Sequence, residues 1–213
     1  SRWGGDRGRA ASLKFFLYTL MGSLPMLLGI LALGFQTAGA GLGFSQLAHL
    51  PEELQLSLFW LFALAFLVKL PVFPLHGWQL DLYRSAPAPV VAVVAGAMSK
   101  AGAFGLLRVL LGIFPDATSH YASVLAGLAL VSVLHGGVSA LGAGCLRSIL
   151  AYSSLSHLGL LTLAVVSSTA AGQSGAILQM FAHGVCTGGL FLVVASLENR
   201  GLSSEVKHLG GLS

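Results

Sequence analysis

Two lysines, Lys69 and Lys100, stand inside apolar runs long enough to cross a bilayer, where a titratable amine has one obvious use. Lys69 closes LFWLFALAFLVK and is followed at once by LPVFPLHGW, while Lys100 interrupts VVAVVAGAMSKAGAFGLL. A charge at the centre of a membrane helix costs about 2.5–3.5 kcal/mol on the insertion scale, so by default it marks an ion pathway. His135, His157 and His183 lie in later apolar runs, and imidazole exchanges protons near neutral pH. All seven acidic residues lie outside these runs or at their edges, so neither lysine has a carboxylate beside it within the sequence. Either the lysines alternate between charged and neutral forms, or an acid from outside residues 1–213 pairs with them. Both options favour protonation chemistry over a static salt bridge.

The elements that must position these groups follow from composition. The chain has 213 residues, 55% hydrophobic and 8% charged, with a mean hydropathy of +0.86. A soluble domain carries about 25% charge, so the class is membrane. A net charge of +4, scattered, makes no nucleic-acid surface. Glycine, at 28 residues, suits helices packed closely in lipid. Cys145 and Cys186 are isolated and read as small apolar fillers. The chain opens at Ser1 without an initiator methionine and is expected to be an internal piece of a longer protein. Ala38-Gly39-Ala40 after a basic start suggests a signal peptide, but the apolar run before it exceeds a signal core, so a span is expected.

Six stretches reach the roughly 20 residues a bilayer core requires: Leu13–Phe35, Ser57–His76, Pro89–Phe114, His120–Gly142, Arg147–Ser168 and Ser174–Leu197. None alternates with the period of a barrel strand, so an all-α bundle of transmembrane helices is predicted. Arg2, Arg7, Arg9, Lys14, Arg84, Arg147, Arg200 and Lys207 fall on one side of this arrangement. The opposite loops hold Glu52, Glu53 and Asp116, so both ends are expected on the cytoplasmic or matrix side. Arg108, near the far end of its span, is expected to snorkel outward. Pro71 and Pro74 remove backbone donors directly after Lys69, and the second span is therefore predicted to break there, with His76 beyond the break. Broken helices carry ion sites in transporters.

Lys69, Lys100, His157 and His183 each sit about 9 to 12 residues into their spans and so share one depth. His135 lies nearer the cytoplasmic end. Ser153 and Ser154 fall one turn before His157 and are expected on its face. Bland readings exist for each: a lone histidine in a membrane helix often bonds a neighbouring helix. No carboxylate orients His157 for hydrolase chemistry, and His183 with Cys186 makes only two ligands, too few for a metal. Gly184-x-x-x-Gly188 is a helix-packing motif.

The strings KFFLYTLMGSLPMLLG, AFLVKLPVFPLHGW, SKAGAFGLLR, AYSSLSHLG and FAHGVCTGGLFLVVASLENR resemble the antiporter-like subunits of respiratory complex I, in particular the chain M (subunit 4) type. The resemblance runs from Arg9 to Ser213 and extends, less closely, to multi-component sodium/proton antiporters and membrane-bound hydrogenases. It implies a fold of about fourteen helices, of which this chain spans the sixth to the eleventh. It maps the family's broken-helix lysine to Lys69, its central lysine to Lys100 and its two histidines to His157 and His183. It also implies a glutamate partner upstream of residue 1 and a terminal channel charge downstream of Ser213. Where the family reads LPDAHxEAP after HGW, this chain reads QLDLYRSAP, so Tyr83 and Ser85 replace histidine and glutamate. A tyrosine is common where His135 stands.

The resemblance thus implies a proton-translocating membrane-arm subunit of an NADH:quinone oxidoreductase, in the bacterial inner membrane or its organellar equivalent. Its partners would be other membrane-arm subunits and the lipid bilayer, with no nucleic acid and no small-molecule substrate besides protons. No cofactor is expected in this chain; NADH, FMN, iron–sulfur clusters and quinone would belong to other subunits. The alternative is a stand-alone sodium/proton antiporter or membrane-bound hydrogenase subunit, and a structural scaffold with inert lysines is a third reading.

Overall fold

An apolar run in lipid must satisfy its backbone internally, and helices do so. A computed structural model describes residues 5–36, 43–47 and 50–208. Arg2 and Ala38-Gly39-Ala40 lie outside the described residues, as does the side chain of Arg7. Helix α1 spans Gly5–Gln36, α2 Phe44–Leu47, α3 Glu52–Lys69 and α4 Gly77–Ser85. One long rod then combines α5 (Ala88–Val93), a π-helical turn at Val94–Met98, α6 (Ser99–Gly105), a second π turn at Leu106–Leu110 and α7 (Leu111–Ile113). The short α8 (Pro115–His120) leads into α9 (Ala122–Leu141), α10 (Leu146–Val166) and α11 (Ala170–Asn199). Among the described residues the only strand-like pairing is an isolated bridge between Cys145 and Glu205.

Among the described residues five stretches are long and apolar enough to cross a membrane: Gly8–Gln36, Ala88–Ile113, Ala122–Leu141, Leu146–Val166 and Ala170–Asn199. The run expected as Ser57–His76 differs from these. It is helical only to Lys69, with Glu52 and Glu53 in its first turn. Beyond Lys69 the chain leaves the helix over residues 70–76, because Pro71 and Pro74 offer no N–H, and then resumes as α4. The Phe73–Pro74 bond is cis. The break is held by specific donors. The Val72 N–H reaches the Leu67 carbonyl (3.1 Å) and the Phe73 N–H donates to Ser132 Oγ on α9 (2.8 Å). The Trp78 indole N–H spans the gap to the Val68 carbonyl (2.9 Å).

Glycines set how closely the rods approach. A Cβ at Gly102 would lie 2.8 Å from the Leu70 nitrogen, so α6 packs directly on the end of α3. A Cβ at Gly184 would lie 3.0 Å from the Gly96 carbonyl, which seats α11 against the π turn before Lys100. Small residues permit this contact in lipid, where no hydrophobic force drives helices together. One buried cluster gathers Phe59, Phe62, Phe66, Phe114 and Leu158, and another Trp78, Tyr83, Val91 and Phe191. The outer faces of α1 and α11 leave Phe16, Met21, Leu28, Phe181 and Val185 exposed.

Candidate proton-transfer site

Lys100 is the second residue after the first π segment, a deviation frequent at functional sites. Its Nζ donates to the Ala95 carbonyl (2.6 Å) inside that segment and lies 3.1 Å from Ser99 Oγ. Across the Gly96–Gly184 contact it meets His183 on α11, with Nζ 2.6 Å from Nδ1. The other ring nitrogen of His183, Nε2, lies 3.0 Å from Ser154 Oγ on α10. Ser154 in turn accepts from the amide of Gln79 on α4 at 3.1 Å. Four elements therefore contribute to one buried thread: Lys100, His183, Ser154 and Gln79. In low dielectric each of these bonds is stronger than in water, and each unmade one is costlier.

His157 stands beside this thread rather than in it. Its ring is exposed, 6.2 Å from that of His183, and its Nδ1 is 3.5 Å from the Gln179 amide. A cavity of about 200 Å³ joins the two histidines with Ser153, Gln179, Cys186 and Thr187. The two serines expected on one face with His157 part company. Ser153 lines that cavity, whereas Ser154 is buried and turns to His183, because α10 places it against α4 and α11.

Lys69 is the last residue of α3 and is half-buried. Among the described residues it makes no hydrogen bond or ion pair. Lys69 and Lys100 lie on either side of the same Gly102–Leu70 contact, and no hydrogen bond joins them. Beyond the break, His76 is buried and its Nδ1 has no hydrogen-bond partner among the described residues. Its ring stacks at 5.6 Å on Phe73 and lies 5.2 Å from His135. Lys14 and Asp81 pair at 2.6 Å nearby, tying α1 to α4.

Of the remaining polar groups, Arg108 lies over the Phe44 ring at 5.1 Å. Cys145 corrects the sequence reading: it caps α10, with its Sγ 3.5 Å from Ser204 Oγ, rather than filling apolar space. Burial pushes its thiol up, yet hydrogen bonds with Ser204 and with the backbone of Ser148 and Arg147 outweigh this and hold it below the ordinary range. Among the described residues no group of three His, Cys, Asp or Glu side chains gathers for a metal.

Residues 2–213 match the model of the family described as NADH:quinone oxidoreductase/Mrp antiporter, TM. The chain belongs to that family. It is 38% identical over 213 residues to NAD(P)H-quinone oxidoreductase chain 4 1 of Synechococcus sp. (strain JA-3-3Ab), covering 99% of this chain and 40% of that protein. It is 35% identical to NADH-quinone oxidoreductase subunit M of Rickettsia prowazekii (strain Madrid E), with 99% and 43% covered. Among solved structures it resembles respiratory complex I from Thermus thermophilus with bound NADH, with a TM-score of 0.86 and 35% identity over 93% of this chain and 43% of that one. It also resembles the Mrp complex from Dietzia sp. DQ12-45-1b, with a TM-score of 0.82 and 28% identity over 93% and 37%. The chain spans about two-fifths of the length of the curated relatives it matches. As a member of this family with five span-length apolar helices among the described residues, it is an integral membrane protein.

Two residues in or beside the thread carry no sequence signal of titration. Gln79 and Tyr83 are polar and four apart on α4, hence on one face, but neither breaks an apolar run as a lysine does. Their i,i+4 spacing after the proline break was the available clue.

Proposed function

We propose that this chain is part of a membrane-arm subunit of an NADH:quinone oxidoreductase and moves protons across the bilayer, driven by electron transfer in other subunits. The supporting observation is the thread from Lys100 Nζ to His183 and Ser154, at 2.6 and 3.0 Å, inside a bundle of apolar helices. An amine beside an imidazole in low dielectric can exchange one proton with no heavy-atom movement. Lys100 and His183 carry the transfer at the centre, Lys69 beside the break supplies or receives the proton, and His157 extends the row across the small cavity. Pro71, Pro74 and His76 shape the opening at the break. NADH, FMN, iron–sulfur clusters and quinone belong to partner subunits, and this chain holds no redox centre. It crosses the membrane six times, counting α3 with the break, and both ends face the cytoplasm or matrix in a bacterial inner membrane or its organellar counterpart.

In sealed vesicles carrying the assembled enzyme, Lys100→Ala is expected to abolish proton uptake per NADH oxidised. A normal gradient in that variant would refute the reading. A second reading, a sodium/proton antiporter subunit without redox partners, draws on the likeness to the Mrp complex. Dehydrogenase subunits co-purifying with the full-length protein would decide for the first, and their absence for the second.

A further inference from the structure

The donors and acceptors around Ser154 fix more than a contact list. Gln79 is fully buried, its Nε2 donates to Ser154 Oγ, and its Oε1 has no partner among the described residues. Tyr83, also buried, lies one turn further along α4 on the same face as Gln79. A serine hydroxyl has a single proton. While Gln79 donates to Ser154, that proton is free to point at His183 Nε2, 3.0 Å away. A neutral imidazole that accepts at Nε2 carries its own proton on Nδ1. That proton then faces Lys100 Nζ at 2.6 Å, and only an uncharged amine has a lone pair to accept it. The two remaining Lys100 protons go to the Ala95 carbonyl and Ser99 Oγ. The groups from Gln79 Nε2 to Lys100 Nζ are then matched in one direction, while Gln79 Oε1 has no partner among the described residues.

A half-turn of the Gln79 amide reverses the thread. Oε1 accepts from Ser154, Ser154 accepts from His183 Nε2–H, and Nδ1 accepts from the Lys100 ammonium. The heavy atoms of Ser154, His183 and Lys100 stay in place, His183 changes tautomer, and the net difference is one proton on Lys100, which enters from the proton path outside the thread and is the pumped proton itself. We propose that Gln79 is a positioning residue whose amide orientation, transmitted through Ser154 and His183, is coupled to whether Lys100 holds its extra proton. Because Gln79 sits on α4, the resumed half of the broken helix, the charge of Lys100 is thereby tied to that element. The other titratable groups facing the thread are His157 from α10, Tyr83 from α4 and Cys186 from α11.

The inference rests on the proposed function and deepens it. Its test is the pH profile of NADH-driven proton uptake in vesicles holding the assembled complex, for Gln79→Glu, Gln79→Leu, Ser154→Ala and Ser154→Thr. An ionised glutamate only accepts, and so holds the thread in the direction that keeps Lys100 charged, whereas leucine releases it. The alkaline edge of pumping is expected about one pH unit higher in Gln79→Glu than in Gln79→Leu. Ser154→Ala is expected to match Gln79→Leu, and Ser154→Thr to restore the wild-type edge. Profiles that keep their shape and only scale down in all variants would overturn the proposal. Should Gln79→Glu fail to assemble, the Ser154 pair decides by the same criterion. If Lys100→Ala retains pumping, the proposed function itself fails; if it abolishes pumping while the edges coincide, only this inference falls.

Discussion

Lys100 and Lys69 look alike in the sequence, each a cation inside an apolar run, but they differ in what surrounds them. Lys100 has three partners within 3.1 Å, all neutral, so its environment accommodates an ammonium or an amine. Lys69 ends its helix and makes no hydrogen bond or ion pair among the described residues. Methionine matches the lysine stem in length and flexibility, so Lys69→Met is expected to leave assembly intact and to abolish proton uptake per NADH. A variant that pumps normally would make Lys69 an inert structural residue. The lysines and His183 were legible because a titratable group in an apolar run is costly. Gln79 was not, because a neutral amide carries no such cost and reveals its role only through the elements that bury it.

At the scale of the element, the break between α3 and α4 is where local sequence and distant packing meet. Pro71 and Pro74 announce the loss of helix, and the end of α3 at Lys69 follows from them. What keeps the irregular stretch in place lies 59 residues away, where Ser132 accepts the Phe73 N–H. No local pattern points to that pairing, since Ser132 reads as an ordinary small residue of α9. Ser132→Ala leaves a partly buried backbone donor unpaired, at a cost of about 1 kcal/mol. The variant is expected to lower the thermal midpoint of the purified complex and to reduce pumping; an unchanged midpoint would show that the break is held otherwise. The π turns around Lys100 were equally hidden, because an extra residue in a turn leaves no compositional trace in the apolar pattern of Pro89–Phe114.

Across the whole molecule, the helices are gathered on one side by a single arginine. Arg147, at the start of α10, forks onto Glu198 of α11 at 2.7 and 2.6 Å and also donates to the carbonyls of Tyr83 and Ala86. It thus ties the ends of α4, α10 and α11, the elements that also carry Gln79, Ser154 and His183. Lysine cannot reproduce the planar fork, so Arg147→Lys is expected to destabilise the assembly by about 1–3 kcal/mol, read as a lower denaturant midpoint of the purified complex. An unaltered midpoint would show that the clamp contributes nothing beyond its charge. The direct measure of the central thread is a double-mutant cycle on residual proton uptake per NADH oxidised, comparing the conservative variants Lys100→Arg, His183→Gln and the double variant, in which a remainder of uptake keeps the cycle readable. If the two side chains pass one proton between them, either loss removes the same step, and the double variant is expected to pump no worse than the single ones. Independent losses that multiply in the double variant would contradict a shared proton between Lys100 and His183.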